Sequence, residues 1–221
     1  VTFVNFYIAF VILTSVYRLW VSTRIPGVKK LPGQVRAAFT FWALFLAYAL
    51  VVTASVVEFF TIRRCIISPL PTMIGLGIYL LGIIGREWPI RELGRFWSHH
   101  VEIRPDHELI LTGPYRYLRH PNYACLLCEV LGFPLVSNSF FAFILSAVVY
   151  IPLVLNRIRH EEEALIEKFG ERYREYRRCV PALFPIPGRT AKAMQASSTS
   201  PVKPEQAEAS IHPSPTTEEA P

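Results

Sequence analysis

Residues 124–155 form an apolar run in which Glu129 is the only charged side chain. Such a run has to be hidden from water, and at about 1.5 Å of rise per residue it is too long to cross a hydrocarbon core of about 30 Å only once. A break is expected in the segment F-P-L-V-S-N-S, where Pro134 removes a helix donor and Ser137, Asn138 and Ser139 offer turn hydrogen bonds. Two antiparallel spans follow, 121–136 and 139–156. Upstream, the blocks 1–20, 39–60 and 69–85 are each near spanning length, the last being short and glycine-rich. The fold class is therefore all-α and integral to a membrane, with about five transmembrane helices. The 52% share of hydrophobic residues, gathered into blocks, agrees with that class. The first block reads as a span and not as a cleaved signal, because no cationic stretch precedes it and no small-residue cleavage site follows before Arg18 and Trp20.

Lys and Arg placement sets the expected orientation. The loop after the first block holds Arg18, Arg24, Lys29, Lys30 and Arg36, whereas the next loop holds only Arg63 and Arg64. The N-terminus should face outward, and all but Arg63 and Arg64 of the 23 basic residues should face the cytosol. Topology and anionic lipid account for the net charge of +6, and no basic surface with stacking aromatics points to nucleic acid. Cys125 and Cys128 form a C-x-x-C in an apolar helix and read as packing thiols. Five of the histidines, His99, His100, His107, His120 and His160, show no ligand spacing, so no metal site is expected. Residues 188–221 are mostly Ala, Ser, Thr, Pro and Glu with almost no large apolar side chain, and are expected to form a disordered tail to a membrane domain of residues 1–187.

Ionisable residues gather where this chain should meet water. Residues 86–121 are too polar to span and too rich in aromatic and aliphatic side chains to be a linker, so they should fold back as a reentrant segment. There His107, Glu108, Leu109 and Ile110 precede Thr112-Gly113-Pro114-Tyr115, a turn in which Gly113 and Pro114 can bring backbone groups near a ligand. Arg119 and His120 precede Pro121, a residue that suits the first turn of a helix, so free backbone donors should point into the same pocket. A second cluster runs from Asn156 to Glu163, with Arg157 and Glu161 one helical turn apart. Taken singly, each of these charges could equally be a surface ion pair or an anchor reaching lipid phosphates.

Together, the pieces resemble the isoprenylcysteine carboxyl methyltransferase family over about residues 94–185. They are H-E-L-I at His107 to Ile110, G-P-Y at Gly113 to Tyr115, R-H-P-N-Y at Arg119 to Tyr123, R-x-x-x-E-E at Arg157 to Glu162, and F-G-x-x-Y-x-x-Y-x-x-x-V-P at Phe169 to Pro181. The resemblance implies S-adenosylmethionine as methyl donor, in a cytosolic pocket made by the reentrant segment and the C-terminal helices. Carried over by position, His107, Glu108, Leu109, Ile110, Gly113, Tyr115, His120, Pro121, Asn122, Tyr123 and Glu161 would bind the cofactor. Arg119 and Arg157 would face the acceptor, with Glu129 lining its lipid-side entry, and Arg119, His120, Arg157 and Glu161 would be the catalytic set. After Tyr123 the chain departs from the eukaryotic branch and looks more like the short bacterial members, some associated with O-methylation of alkylresorcinols and alkylpyrones. The implied reaction is methyl transfer to a carboxylate or phenol oxygen of a lipidic acceptor, in a bacterial inner membrane and with no oligomeric state specified. Two alternatives stand beside it: an NADPH-dependent reductase similar to the sterol reductases, which share an R-H-P-N-Y-like segment, and a phospholipid N-methyltransferase, a variant of the same methyl-transfer reading. A membrane protein without catalysis, its polar clusters serving only as anchors, is the third.

Overall fold

The computed structural model describes residues 2–23, 34–36, 38–94, 101–103, 109–187 and 189–190. Six helices carry it: α1 (Thr2–Thr23), α2 (Ala38–Thr61), α3 (Pro69–Leu93), α4 (Pro121–Val136), α5 (Phe140–Phe169) and α6 (Glu171–Cys179). A 3-10 turn, Gly113–Arg116, precedes α4. The only strands among the described residues are β1 (Gln34–Arg36) and β2 (Val101–Ile103), an antiparallel pair with Val35 opposite Glu102. Strands of three residues are too short to show as an alternating pattern, which is why the sequence reading has no counterpart to them. Of the segment expected as a tail, only Arg189 and Thr190 lie among the described residues.

Among the described residues, four helices are long and apolar enough to cross a membrane, over Thr2–Trp20, Phe39–Thr61, Pro69–Leu93 and Phe140–Phe169. The chain is an integral, multi-pass membrane protein. On α5, Phe141, Ile144 and Val148 form an exposed apolar stripe, and Leu13, Val16 and Leu19 do the same on α1. In water such stripes would drive aggregation; in a bilayer, lipid chains are their solvent. The remaining expected span, the fourth in order, is α4, a helix of 16 residues, about 24 Å long and so shorter than the hydrocarbon core. Neighbouring helices surround it instead, and Leu126, Leu127, Val130, Phe133 and Val136 are all buried.

The packing of α3 on α4 sets the depth of everything that follows. A Cβ on Gly82 would lie 2.7 Å from the Cys125 carbonyl and 2.8 Å from the Glu129 amide nitrogen, and one on Gly132 would lie 2.7 Å from the Tyr79 nitrogen. Only hydrogen at these positions lets the two backbones meet, the usual solution where helices associate without a hydrophobic driving force. α3 also runs past the expected end at residue 85, to Leu93. Arg86 stays helical because it turns inward to α4, and Glu87 pairs with Arg91 at 3.6 Å on the outer face.

The α4–α5 hairpin turns at Ser137, Asn138 and Ser139, within the expected segment, although Pro134 is accommodated inside α4. All three turn residues are buried, so their polar groups must find partners in protein. The Ser137 hydroxyl lies 3.0 Å from that of Ser55, itself 3.0 Å from the Tyr7 hydroxyl. Ser139 donates to the Ser55 carbonyl at 3.0 Å. Asn138, with φ of 58°, accepts from the Ser68 amide at 2.6 Å and donates to Thr72 at 2.8 Å. Glu58 of α2 caps α5 by accepting from the Phe141 and Ala142 amides at 3.2 and 2.8 Å. From that cap α5 continues unbroken for 30 residues, about 45 Å. Its last third therefore extends beyond a hydrocarbon core and carries charge to the opposite end of the bundle.

Candidate active site

At that end the 3-10 turn, the start of α4, the charged third of α5 and α6 converge. The strand of chain after α6 closes on the segment before α4: the Arg119 amide donates to the Pro181 carbonyl at 2.9 Å and the His120 amide to the Ala182 carbonyl at 3.0 Å. Tyr176 of α6 donates to the Tyr115 carbonyl at 2.6 Å. Burial pushes the phenols of Tyr115, Tyr173 and Tyr176 up, so all three remain neutral donors at physiological pH. Gly113 adopts φ of 56°, and a Cβ there would meet the Glu92 carboxylate at 2.6 Å. Glu92 also accepts from the Thr112 hydroxyl at 2.6 Å. The glycine thus answers to a carboxylate clamping the turn, a sufficient reason for its presence before any ligand is considered.

Glu162 is the electrostatic centre of this closure. Its Oε1 accepts from His120 Nε2 at 3.1 Å and pairs with Arg119 Nη2 at 3.0 Å, while Oε2 pairs with Arg177 Nε at 3.3 Å. Arg119 also donates through Nη1 to the Arg177 carbonyl at 2.6 Å. Two buried polar atoms here have no partner, Arg119 Nε and the Tyr173 hydroxyl. Both are donors left over at the edge of a charged cluster.

A second array runs alongside. Arg157 Nε donates to the Tyr123 hydroxyl at 2.8 Å, and that hydroxyl donates to Glu161 Oε2 at 2.7 Å. Arg157 is 5% exposed, and its Nη1 donates to Thr40 of α2 at 2.9 Å. Glu161 is different, with a third of its side chain open to solvent. His120 lies between the arrays, its Nδ1 3.9 Å from Glu161 while Nε2 holds Glu162. With Nε2 donating to Glu162, Nδ1 is free to carry a lone pair or a second proton. The geometry thus offers a half-open carboxylate beside aromatic rings, suited to a soft cation, next to buried guanidiniums suited to an anionic oxygen.

Among the candidates, the structure brings Tyr115, Arg119, His120, Pro121, Asn122, Tyr123, Arg157 and Glu161 to one end of the bundle. Leu109 packs with Leu111 against Tyr173, Tyr176 and Val180, and Ile110, next to it, is half-buried. His107 and Glu108 lie outside the described residues. Glu129 is 2% exposed and held by Arg18 at 2.7 Å and Arg86 at 3.4 Å, so its carboxylate is fully engaged inside the bundle. Three residues whose contacts organise this end of the bundle were not singled out by the sequence: Glu162, Arg177 and Arg86. Glu162 stands in the quoted R-x-x-x-E-E segment, but helical spacing from Arg157 singles out its neighbour Glu161. Arg177 sits in the charged run Glu171 to Arg178, and Arg86 just after the expected end of the third span, and neither position carries a local signal of its partners.

Residues 73–167 match the model of the isoprenylcysteine carboxyl methyltransferase family. That stretch contains Arg86, the R-H-P-N-Y segment, and Glu161 and Glu162 of α5. The uncharacterised protein YpbQ of Bacillus subtilis is 33% identical over 101 residues, 45% of this chain and 60% of that protein. The protein-S-isoprenylcysteine O-methyltransferase of Schizosaccharomyces pombe is 33% identical over 113 residues, 50% of this chain and 48% of the relative. The chain spans about half the length of the curated relatives it matches. A solved structure of a eukaryotic intramembrane Ras methyltransferase, itself an isoprenylcysteine carboxyl methyltransferase, shares the fold with a TM-score of 0.56. It is 24% identical, with 67% of this chain and 61% of that one aligned. Over residues 73–167, and in the motifs that stretch carries, the chain is similar to the isoprenylcysteine carboxyl methyltransferase family.

Proposed function

We propose that this protein is an S-adenosylmethionine-dependent methyltransferase acting on a carboxylate or phenol oxygen of a lipidic acceptor. The observation that carries the reading is the Tyr123 hydroxyl, which ties the buried Arg157 to the half-open Glu161 beside His120. The match of residues 73–167 to the family and the O-methyltransferase name of the yeast relative support the same chemistry. The reductase and the phospholipid N-methyltransferase are not favoured by these relationships. Positive charge at the site end favours a cytosolic orientation, where a soluble cofactor is at hand.

The residues present fit the cofactor. Glu161 supplies an accessible negative charge flanked by His120 and Tyr123, and the unpartnered Tyr173 hydroxyl is a donor suited to its carboxylate. S-adenosylmethionine, when bound, supplies an electrophilic methyl group on a cationic sulfur. Glu161 offsets that charge, and Arg157 and Arg119 orient the acceptor oxygen. A carboxylate acceptor already carries its nucleophilic charge and requires alignment alone. A phenol must first lose a proton, and His120 Nδ1 can take it while Nε2 remains on Glu162. The lipid tail stays in the bilayer, where each methylene is worth about 0.8 kcal/mol.

Transfer of a labelled methyl group from S-adenosylmethionine to a farnesylated cysteine and to a long-chain alkylresorcinol, by protein in lipid nanodiscs, tests the proposal. Incorporation into either acceptor supports it. The Glu161→Gln variant should remain folded and bind S-adenosylmethionine about 10-fold more weakly, since one charge-assisted contact is removed. A wild-type protein that binds NADPH and not S-adenosylmethionine would overturn the reading.

A further inference from the structure

Arg86 lies on α3, well before the motifs that mark the site, yet its guanidinium bridges two residues of α4. Nε donates to Asn122 Oδ1 at 3.0 Å, and Nη1 reaches the Glu129 carboxylate at 3.4 and 3.5 Å. Glu129 is held in turn by Arg18 of α1 at 2.7 Å, whose guanidinium stacks 3.8 Å over the Tyr48 ring of α2. Four helices therefore converge on one buried carboxylate. A charge so deep in a membrane bundle is costly to keep unless it organises something.

What it organises is the direction of an amide. An arginine has donors and no acceptor, so the Asn122 group facing Arg86 must be the oxygen, and its NH2 must occupy the opposite edge. Asn122 stands between Pro121 and Tyr123 in the first turn of α4. Glu129 occupies the other arm of Arg86, and so restrains the guanidinium from swinging away from Asn122.

We propose that Arg86 is a positioning residue for cofactor recognition, fixing Asn122 so that its Nδ2 presents two donors to an electron-rich atom of S-adenosylmethionine, a carboxylate oxygen or an adenine ring nitrogen. Glu129 and Arg18 are the anchor that makes this orientation rigid. The inference rests on the S-adenosylmethionine pocket proposed above.

Three variants test it, with S-adenosylmethionine binding and the thermal unfolding midpoint both measured on the full chain in detergent. Arg86→Lys keeps a cation for Glu129 but lacks the second arm needed for Asn122. It should weaken binding about 10-fold with little change in unfolding, as should Asn122→Ala, and the double variant should be no worse than either single one. Asn122→Asp separates positioning from packing: the contact to Arg86 becomes an ion pair, so the unfolding midpoint should hold or rise, while binding falls because the donors are gone. Arg86→Lys with wild-type affinity, losses that multiply in the double variant, or an Asn122→Asp protein that binds normally would each overturn the proposal. Wild-type protein that binds no S-adenosylmethionine would overturn the methyltransferase reading and this inference with it, whereas wild-type binding with independent losses would overturn the inference alone.

Discussion

α4 begins and ends in buried polar clusters of opposite character. At its C-terminal end Ser55, Ser137, Ser139, Asn138 and Tyr7 exchange short hydrogen bonds among neutral groups, the adjacent Glu58 carboxylate is spent on the first amides of α5, and every side chain of the turn has a partner. Arg63, whose Nε lacks a partner, stacks nearby at 5.1 Å over Phe140 and stays outside that network. At the N-terminal end the groups are charged, two buried donors are left over, and Glu161 is open to solvent. A saturated neutral network has nothing left to offer a ligand and serves to hold a turn in an apolar interior. An unsaturated charged one is expensive, and its spare capacity is what a substrate would use.

If this contrast is right, substitutions at the two ends should separate activity from stability. The largest effect is expected from Arg157→Ala, which removes the cation that the site holds through Tyr123 and Thr40. Turnover should fall about 10²- to 10³-fold, the scale seen when one electrostatic contact to a reacting oxygen is lost. A steady-state assay on monodisperse protein measures it, and turnover near that of the parent would place the acceptor elsewhere. Next, Glu162→Gln should destabilise the fold by about 3 kcal/mol, because His120, Arg119 and Arg177 lose a shared counter-charge in a buried setting. Thermal or denaturant unfolding in detergent checks it.

At the saturated end the expectation reverses. Asn138→Gly suits the positive φ but leaves the Ser68 amide and Thr72 hydroxyl without the side chain that pairs them. Stability should drop by about 2 kcal/mol, while turnover per folded molecule stays at the parent value. A variant that lost activity in the folded fraction would show that the turn is coupled to the site along α4.

These two ends were unequally legible in the sequence. The hairpin could be read from F-P-L-V-S-N-S because turn chemistry is local: proline and short polar side chains act within a few residues of themselves. The partners from Ser55 and Ser68 could not, since they come from other helices. At the charged end, Arg157 and Glu161 stand out by their helical spacing, which suggests a direct pair; in the structure Tyr123, from α4, stands between them. Glu162 carries more contacts than Glu161 but shows no local signal, because Arg119, His120 and Arg177 approach it from distant segments. α3 illustrates the same limit. Hydropathy ends it at residue 85, yet the charged turn after that remains helical because Arg86 is neutralised by α4. Periodicity and turn residues report what a segment does by itself, while ion pairs between helices report the packing and are invisible until it is known.

The smallest effect sharpens the comparison most, because it holds the count of ion pairs nearly constant while changing their surroundings. Glu171, at the start of α6, pairs with Arg174 at 3.3 Å and Arg178 at 3.6 Å, much as Glu162 pairs with its own neighbours. Its side chain, however, is 67% exposed, against 8% for Glu162. In water, a pair of this kind trades solvation for attraction almost evenly and contributes about 0.5 kcal/mol or less. Its place in the first turn of a helix adds only a comparable dipole term. Glu171→Gln should therefore shift the unfolding midpoint barely at all and leave methyl transfer unchanged. Raising salt should erase what difference remains at Glu171 and leave the Glu162→Gln defect standing, since screening reaches exposed charges and not buried ones. Equal responses of the two variants to salt would mean that Glu162 is as solvated as Glu171, and the distinction drawn between a built site and a charged surface would fall.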